Sequence, residues 1–274
     1  MSTRFPRPGV DPFTERTPRV VAARALVRRA GREKAGRFLA EGAQAVRSAL
    51  GHGVVHELFV TAAAASRNED LLEAASSAGV TVSFVTEKAA AGLSETVTPQ
   101  GVVAVCSLVD RPVEAVLSGG PSLVAVLVGV SDPGNAGTVT RVADAAGAGA
   151  VLFAGETVDP HNGKCVRAST GSVFHVPVGR SRDVSAVFAA CRAAGLRLVA
   201  ADGYAERDLD AVIDAGELGA PTAWVFGSEA HGLDASVLDA VDDVVKVPLY
   251  GAAESLNLAT AAAVCLYASA RALR

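Results

Sequence analysis

Residues 129–148 read GVSDPGNAGTVTRVADAAGA. The apolar run SLVAVLVGV leads into this stretch and a helix of small residues leads out of it. A loop of this kind suits a phosphate, yet it fits neither common nucleotide pattern. A P-loop needs Gly-x4-Gly-Lys-Ser/Thr, and the stretch has no lysine. A dinucleotide turn needs Gly-x-Gly-x-x-Gly, whereas Gly129, Gly134 and Gly137 are spaced otherwise. Asn135 suits the N-cap of the helix. Helical side chains tilt toward the N-terminus, so Arg141 is placed to lean back over the loop.

Working outward, the second half of the chain alternates regularly. AVLFAG, GLRLVAADG, PTAWVFGSE and DVVKVPL are apolar strands, and an Ala-rich helix from about Leu256 closes the chain. Strands that are apolar throughout, separated by helices, predict a parallel sheet covered on both faces. In such sheets ligands bind at the carboxyl ends of the strands. Loops 131–137, 227–233 and 248–255 leave those ends, and all are rich in glycine and small polar residues. They predict one composite site. Arg141 with Glu229 would hold a phosphate or ribose oxygen there, and Ser255 would cap the last helix, with Glu254 and Asn257 near its positive end.

The first half predicts a smaller α/β unit. Residues 1–16 read as a flexible arm, Arg19 to Arg32 as a helix with a turn near Gly36, and 42–50 as a second helix. VHELFVT, VTVSFVT and GVVAVCSLV read as strands, NEDLLEAASSAG and EKAAAGLSET as helices, and DRPVEAVLSGGPS as a linker. The expected boundaries are an arm at 1–16, a smaller α/β domain at 17–109, a linker at 110–121 and a larger parallel-sheet domain at 122–274.

Charge separates these halves. The net charge is −4, but residues 1–50 carry 11 Arg/Lys against 4 Asp/Glu. Basic residues gathered at one end are the footprint expected for a phosphate backbone. Arg24, Arg28, Arg29, Arg32, Lys34 and Arg37 are the candidates. Aromatic residues make up only 5% of the chain, which argues against a base-stacking platform. The four cysteines and five histidines are scattered without metal-ligand spacing, so no metal site is expected and the thiols read as reduced. No signal peptide or membrane span is evident, and a soluble cytoplasmic protein is expected.

DPGNAGTVTRVADAAGA, VFGSEAHGL and VKVPLYGAAESLNLATAAAVCLY resemble, in order, the three signature motifs of the SpoU (TrmH) branch of the SPOUT RNA ribose 2′-O-methyltransferases. KCVRASTGSVFHVPV resembles a further family segment, with Arg167 and Ser169 in the usual places. The match covers residues 122–274, while GRFLAEGAQAVRSAL and TVTPQGV resemble the small ribosomal-protein-like RNA-binding domain that precedes it in many relatives. The resemblance implies a trefoil-knotted, parallel-sheet α/β domain, S-adenosylmethionine as cofactor and a homodimer. By motif match, Gly227, Glu229, Val247, Pro248, Leu249 and Leu256 surround the cofactor. Arg141 is the catalytic arginine, oriented by Glu229, while Asn135, Ser255 and Asn257 place the ribose and Arg167 joins the RNA contacts. The methyl sulfonium is already electrophilic, so the chemistry needs no metal. The implied substrate is RNA, with 23S rRNA favoured by the separate N-terminal domain. A tRNA substrate, a ribosome-protecting resistance enzyme and a non-catalytic RNA-binding knot are the alternatives. A nicotinamide oxidoreductase fails for want of the Rossmann turn.

Overall fold

A computed structural model describes residues 11–274. They fall into two compact units: the described residues through Leu108 together with His161–Phe174, and Val109–Pro160 together with His175–Arg274.

The first unit runs α1 (Pro18–Ala25), α2 (Arg29–Ala35), β1 (Arg37–Glu41), α3 (Ala43–Gly51), β2 (Val55–Val60), α4 (Ala62–Arg67), α5 (Glu69–Ser77), β3 (Thr81–Phe84), α6 (Glu87–Ala91) and β4 (Val102–Ser107). Its sheet has the order β1-β4-β2-β3, antiparallel except for the β2–β3 pair. Phe38, Leu58, Phe59 and Ala104 lie at the buried centre.

Two expectations for this unit are corrected. The helix expected over Arg19–Arg32 is broken between α1 and α2. A Cβ on Gly31 would lie 2.0 Å from the Ala25 carbonyl oxygen, so only glycine lets the chain turn back this closely. The Arg32 guanidinium fills the corner, donating to the carbonyls of Leu26 at 3.1 Å and Val27 at 2.8 Å. The arm expected at 1–16 falls partly on residues 1–10, outside the described residues. Its remainder is docked: Phe13 N–H donates to Phe84 O at 2.8 Å, Thr86 N–H donates to Phe13 O at 2.9 Å, and Lys88 pairs with Glu15 at 2.7 Å.

The second unit begins with β5 (Asp110–Arg111) and α7 (Val113–Leu117), followed by β6 (Leu123–Val128), α8 (Pro133–Ala146) and β7 (Ala150–Ala154). The chain then enters the first unit as α9 (Gly163–Ser169), which packs on β1, and α10 (Ser172–His175) leads back. The second unit continues with β8 (Val178–Ser181), α11 (Val184–Ala193), β9 (Arg197–Ala201), β10 (Arg207–Asp208), α12 (Leu209–Asp214), β11 (Thr222–Phe226), α13 (Ala235–Leu238), β12 (Asp243–Lys246) and α14 (Leu258–Ala272). Its strands form one parallel sheet in the order β10-β12-β9-β11-β6-β7-β8-β5.

β6, β7 and β11 are buried almost throughout, as apolar strands without alternation require. The linker expected at 110–121 is instead part of this sheet. β5 pairs with β8, and Val113, Val116 and Leu117 of α7 enter the core. α14 packs along α8 and is pinned to the sheet where Trp224 Nε1 donates to Ser269 Oγ at 2.8 Å. Among the described residues no helix is long and apolar enough to cross a membrane.

Candidate active site

Because the strands run parallel, β6, β11, β9 and β12 end on one edge of the sheet, side by side. The loops named from the sequence meet there. After β6, Gly129 turns with φ 65° and donates its N–H to Thr157 Oγ1 at 2.8 Å. Asp132, not Asn135, then caps α8, accepting from the Asn135 N–H at 2.8 Å with Pro133 in the first helical position. That correction frees the Asn135 side chain for other work.

β11 runs into a tight turn. Ser228 and Gly232 exchange backbone hydrogen bonds at 2.9 and 3.0 Å. A Cβ on Gly227 would stand 2.3 Å from the Gly232 carbonyl carbon, so the glycine is required by the turn itself. The turn lifts Glu229 to α8. Glu229 Oε2 accepts from Ser131 N and Oγ, each at 3.2 Å, while Oε1 accepts from Asp132 N at 3.2 Å and Asn135 Nδ2 at 2.9 Å. Glu229 was expected to orient Arg141; what its oxygens hold is the loop ahead of α8. Partial burial raises the Glu229 pKa, but the hydrogen bonds from Asn135 and from backbone N–H groups outweigh burial and hold it below the ordinary glutamate value.

After β12, residues 249–257 are exposed and the loop ends at Asn257. Asn257, rather than Ser255, caps α14, accepting from the N–H of Ala259 at 2.9 Å and Thr260 at 3.4 Å. Its Nδ2 donates to Asn135 Oδ1 at 3.0 Å. Glu229, Asn135 and Asn257 therefore form one hydrogen-bonded line across three loops, with two helix N-termini beside it. Arg141 is exposed on α8, Val247 and Pro248 are half-buried, and Ser255 lies exposed outside the line. Ser131 and Asp132 were missed from the sequence; Pro133 was the available signal, since proline favours the position just after a cap.

The basic candidates divide. Arg24, Arg28, Lys34 and Arg37 are exposed on the first unit, and Arg29 pairs with Glu33 at 2.8 Å. Arg32 is corrected: it is 3% exposed and bound to backbone carbonyls, so it braces the α1–α2 corner. Arg167 is corrected too. It ion-pairs with the buried Glu41 at 3.1 Å inside the first unit, and Ser94 and Thr96 donate to the same carboxylate. Among the described residues no group of three His, Cys, Asp or Glu is arranged to hold a metal ion. All four cysteines are buried, and desolvation pushes Cys191 and Cys265 up to about 12, which makes them poor nucleophiles.

Residues 122–267 match the SpoU rRNA Methylase family, and residues 17–104 match the MRM3-like substrate binding domain. RlmP of Bacillus subtilis (strain 168), a 23S rRNA (guanosine(2553)-2′-O)-methyltransferase, is 35% identical over 86% of this chain and 89% of its own. The structure of an AdoMet-bound rRNA methyltransferase from Sinorhizobium meliloti superposes with a TM-score of 0.81 at 29% identity, covering 96% of this chain and 98% of that one. AviRb of Streptomyces viridochromogenes, a SpoU methyltransferase solved with AdoMet, gives 0.80 at 30% identity over 93% and 98%.

The family match and the AdoMet-bound relatives thus define a methyltransferase that uses S-adenosylmethionine. The chain belongs to the SpoU rRNA methylase family.

The residues present suit that cofactor. An adenosine needs backbone partners and a flat apolar wall more than it needs charge. The loop after β12 is exposed from Leu249 to Asn257 and carries the apolar residues Leu249 and Leu256, next to half-buried Val247, on the same sheet edge as the Gly227 turn.

Proposed function

We propose that this protein methylates a ribose 2′-hydroxyl in 23S rRNA. The observation that carries this reading is the line Glu229–Asn135–Asn257 at the carboxyl edge of the sheet, with Arg141 on the same helix as Asn135. The cofactor supplies, when bound, an electrophilic methyl group, held by the backbone near Gly227, Val247 and Leu256 with Pro248 and Leu249 beside it. The protein's task is to align a hydroxyl and stabilise the charge that develops on it; alignment alone supplies several kcal/mol.

Asn135 and Asn257 present amide groups to the ribose, Ser255 adds a hydroxyl, and Glu229 keeps Asn135 in place. A guanidinium keeps its proton (pKa above about 12), so Arg141 does not act as the base. It grips the neighbouring phosphate and stabilises the developing alkoxide. The positive ends of α8 and α14 add to that stabilisation.

The same reading assigns the first unit to RNA binding through Arg24, Arg28, Lys34 and Arg37, on a ribosomal-protein-like fold. It makes the second unit a trefoil knot and the active form a cytoplasmic homodimer. Support for the knot comes from the loop 202–206. Ala201 and Arg207 both stand opposite Val245, on either side of β12, so this loop arches over the exit of that strand. Support for a dimer comes from Val264 and Tyr267, exposed on α14. Mapping ribose methylation across total RNA from cells with and without the intact gene tests the proposal. One site in 23S rRNA should lose its methyl group; a loss confined to tRNA would refute the rRNA assignment.

A further inference from the structure

The loop expected to hold the adenosine is exposed from Leu249 to Asn257, yet a bound loop must be ordered at some cost in conformational entropy. One side chain ties it down between its two ends. The Tyr250 hydroxyl donates to Asp210 Oδ2, across 40 residues of sequence.

The anchor for this bond is rigid. Asp210 lies in the first turn of α12, which Asp208 caps by accepting from the Ala211 N–H at 2.9 Å. Just ahead of α12, Arg207 is bound in a closed ring of charges. Arg207 reaches Glu217 and, at 2.7 Å, Asp243; Arg197 reaches the same two carboxylates at 3.2 and 2.8 Å. The ring joins β9, β10 and β12 to the turn after α12, each member being about one-third exposed or less. Asp210 thus follows closely on β10, which pairs with the strand from which the Tyr250 loop departs.

We infer that Tyr250 and Asp210 form a clasp that pre-organises the cofactor loop, making both of them positioning residues for the methyl-transfer reaction. This rests on the cofactor reading above. The clasp lowers the ordering cost of binding without touching the transferred group, so its loss should appear in cofactor affinity rather than in turnover at saturation. The tyrosine ring itself is 85% exposed, so little packing is at stake when its hydroxyl is removed. The hydrogen bond to Asp210 also raises the Tyr250 pKa, as an anionic acceptor should.

The test measures hydrogen exchange of the 247–257 segment in the cofactor-free full chain, and S-adenosylmethionine affinity by calorimetry. The variants are Tyr250→Phe, Asp210→Ala, the pair together, and Asp210→Asn. Each of the first two should speed exchange in that segment alone and weaken binding by about three- to ten-fold, the range of an ordinary net hydrogen bond at an exposed site. The pair should be no worse than either single change, and Asp210→Asn, which keeps an acceptor, should stay within about two-fold of the natural protein. Additive losses, unchanged exchange, or faster exchange spread over the whole second unit would each overturn the clasp. Absence of cofactor binding by the unaltered chain would instead sink the cofactor reading, while the exchange measurement would still decide whether the clasp exists.

Discussion

Asn257 Nδ2 donates to Asn135 Oδ1 at 3.0 Å, and this bond ties the N-terminus of α14 to that of α8. The two helices are far apart in sequence and lie side by side in the fold, so the bond sets the spacing of the two amides that the proposed function offers to a ribose. Asn257→Ala should lower stability by about 1 kcal/mol through loss of the α14 cap. It should reduce turnover much more steeply than that loss explains. Denaturant titration and single-turnover rates, compared with Asn135→Ala and the double variant, separate the two effects. Fully additive losses in rate would show that the asparagines work independently.

Glu229 carries a pH dependence of known sign. Its folded-state pKa is lowered, so the order it imparts is fully present above the unfolded glutamate value of about 4.3 and is lost as pH falls through the lower folded value. Cofactor affinity should therefore stay level from neutrality down to about pH 4.3 and decline only below it. Glu229→Gln should bind more weakly wherever Glu229 is ionised, because an amide NH2 would face donors of Ser131 or Asp132. A binding curve that titrates near pH 6 would point to a different group.

Arg141→Ala should leave cofactor affinity within a few-fold while cutting turnover by about 10²-fold or more. Arg141→Lys should recover little, because a point charge lacks the planar fork. Single-turnover assays on 23S rRNA read both. A rate near that of the natural enzyme for Arg141→Ala would remove this arginine from the chemistry.

Gly227→Ala tests the Ser228–Gly232 turn. With the added methyl 2.3 Å from backbone, the turn must open and carry Glu229 away from Ser131 and Asn135. The expected outcome is a lower Tm together with lost cofactor affinity. Affinity lost at unchanged Tm would instead favour direct obstruction of the adenosine.

The exposed basic residues of the first unit give a salt test. Changing Arg24, Arg28 and Lys34 together to Gln should flatten the dependence of RNA affinity on salt by about 2 to 3 units on logarithmic axes. Arg32→Gln should lower Tm, as loss of a buried guanidinium bound to two carbonyls requires, with little change in slope. Equal slopes for all these proteins would place the RNA elsewhere.

The long apolar strands β6, β7, β9 and β11 were legible in the sequence, and with them the edge on which Glu229, Asn135 and Asn257 meet. The elements missed are those whose stability is not local. β5 and β10 are two residues each, too short for any pattern, and exist because β8 and β12 offer them a ladder. Asn135 and Ser255 are both good capping residues, but Asp132 and Asn257 won those places, and the choice freed Asn135 to meet Glu229. Arg32 and Arg167 read as RNA-contacting cations because the carbonyls and the carboxylate that receive them come from a folded corner and from a strand 126 residues away.

The placement of α9 has a consequence for the order of synthesis. A ribosome delivers residues through Leu108 first, yet the unit they build lacks α9 and most of α10 until His161–Phe174 emerges. At roughly 5–20 residues per second that wait lasts several seconds. Throughout it Glu41, later paired with Arg167, has only hydroxyl partners, and the β1 face that receives α9 is bare. The newborn first unit therefore passes through an unfinished stage in which its sheet can form but buried Glu41 has no cation, and completion comes from a segment embedded in the second half of the chain.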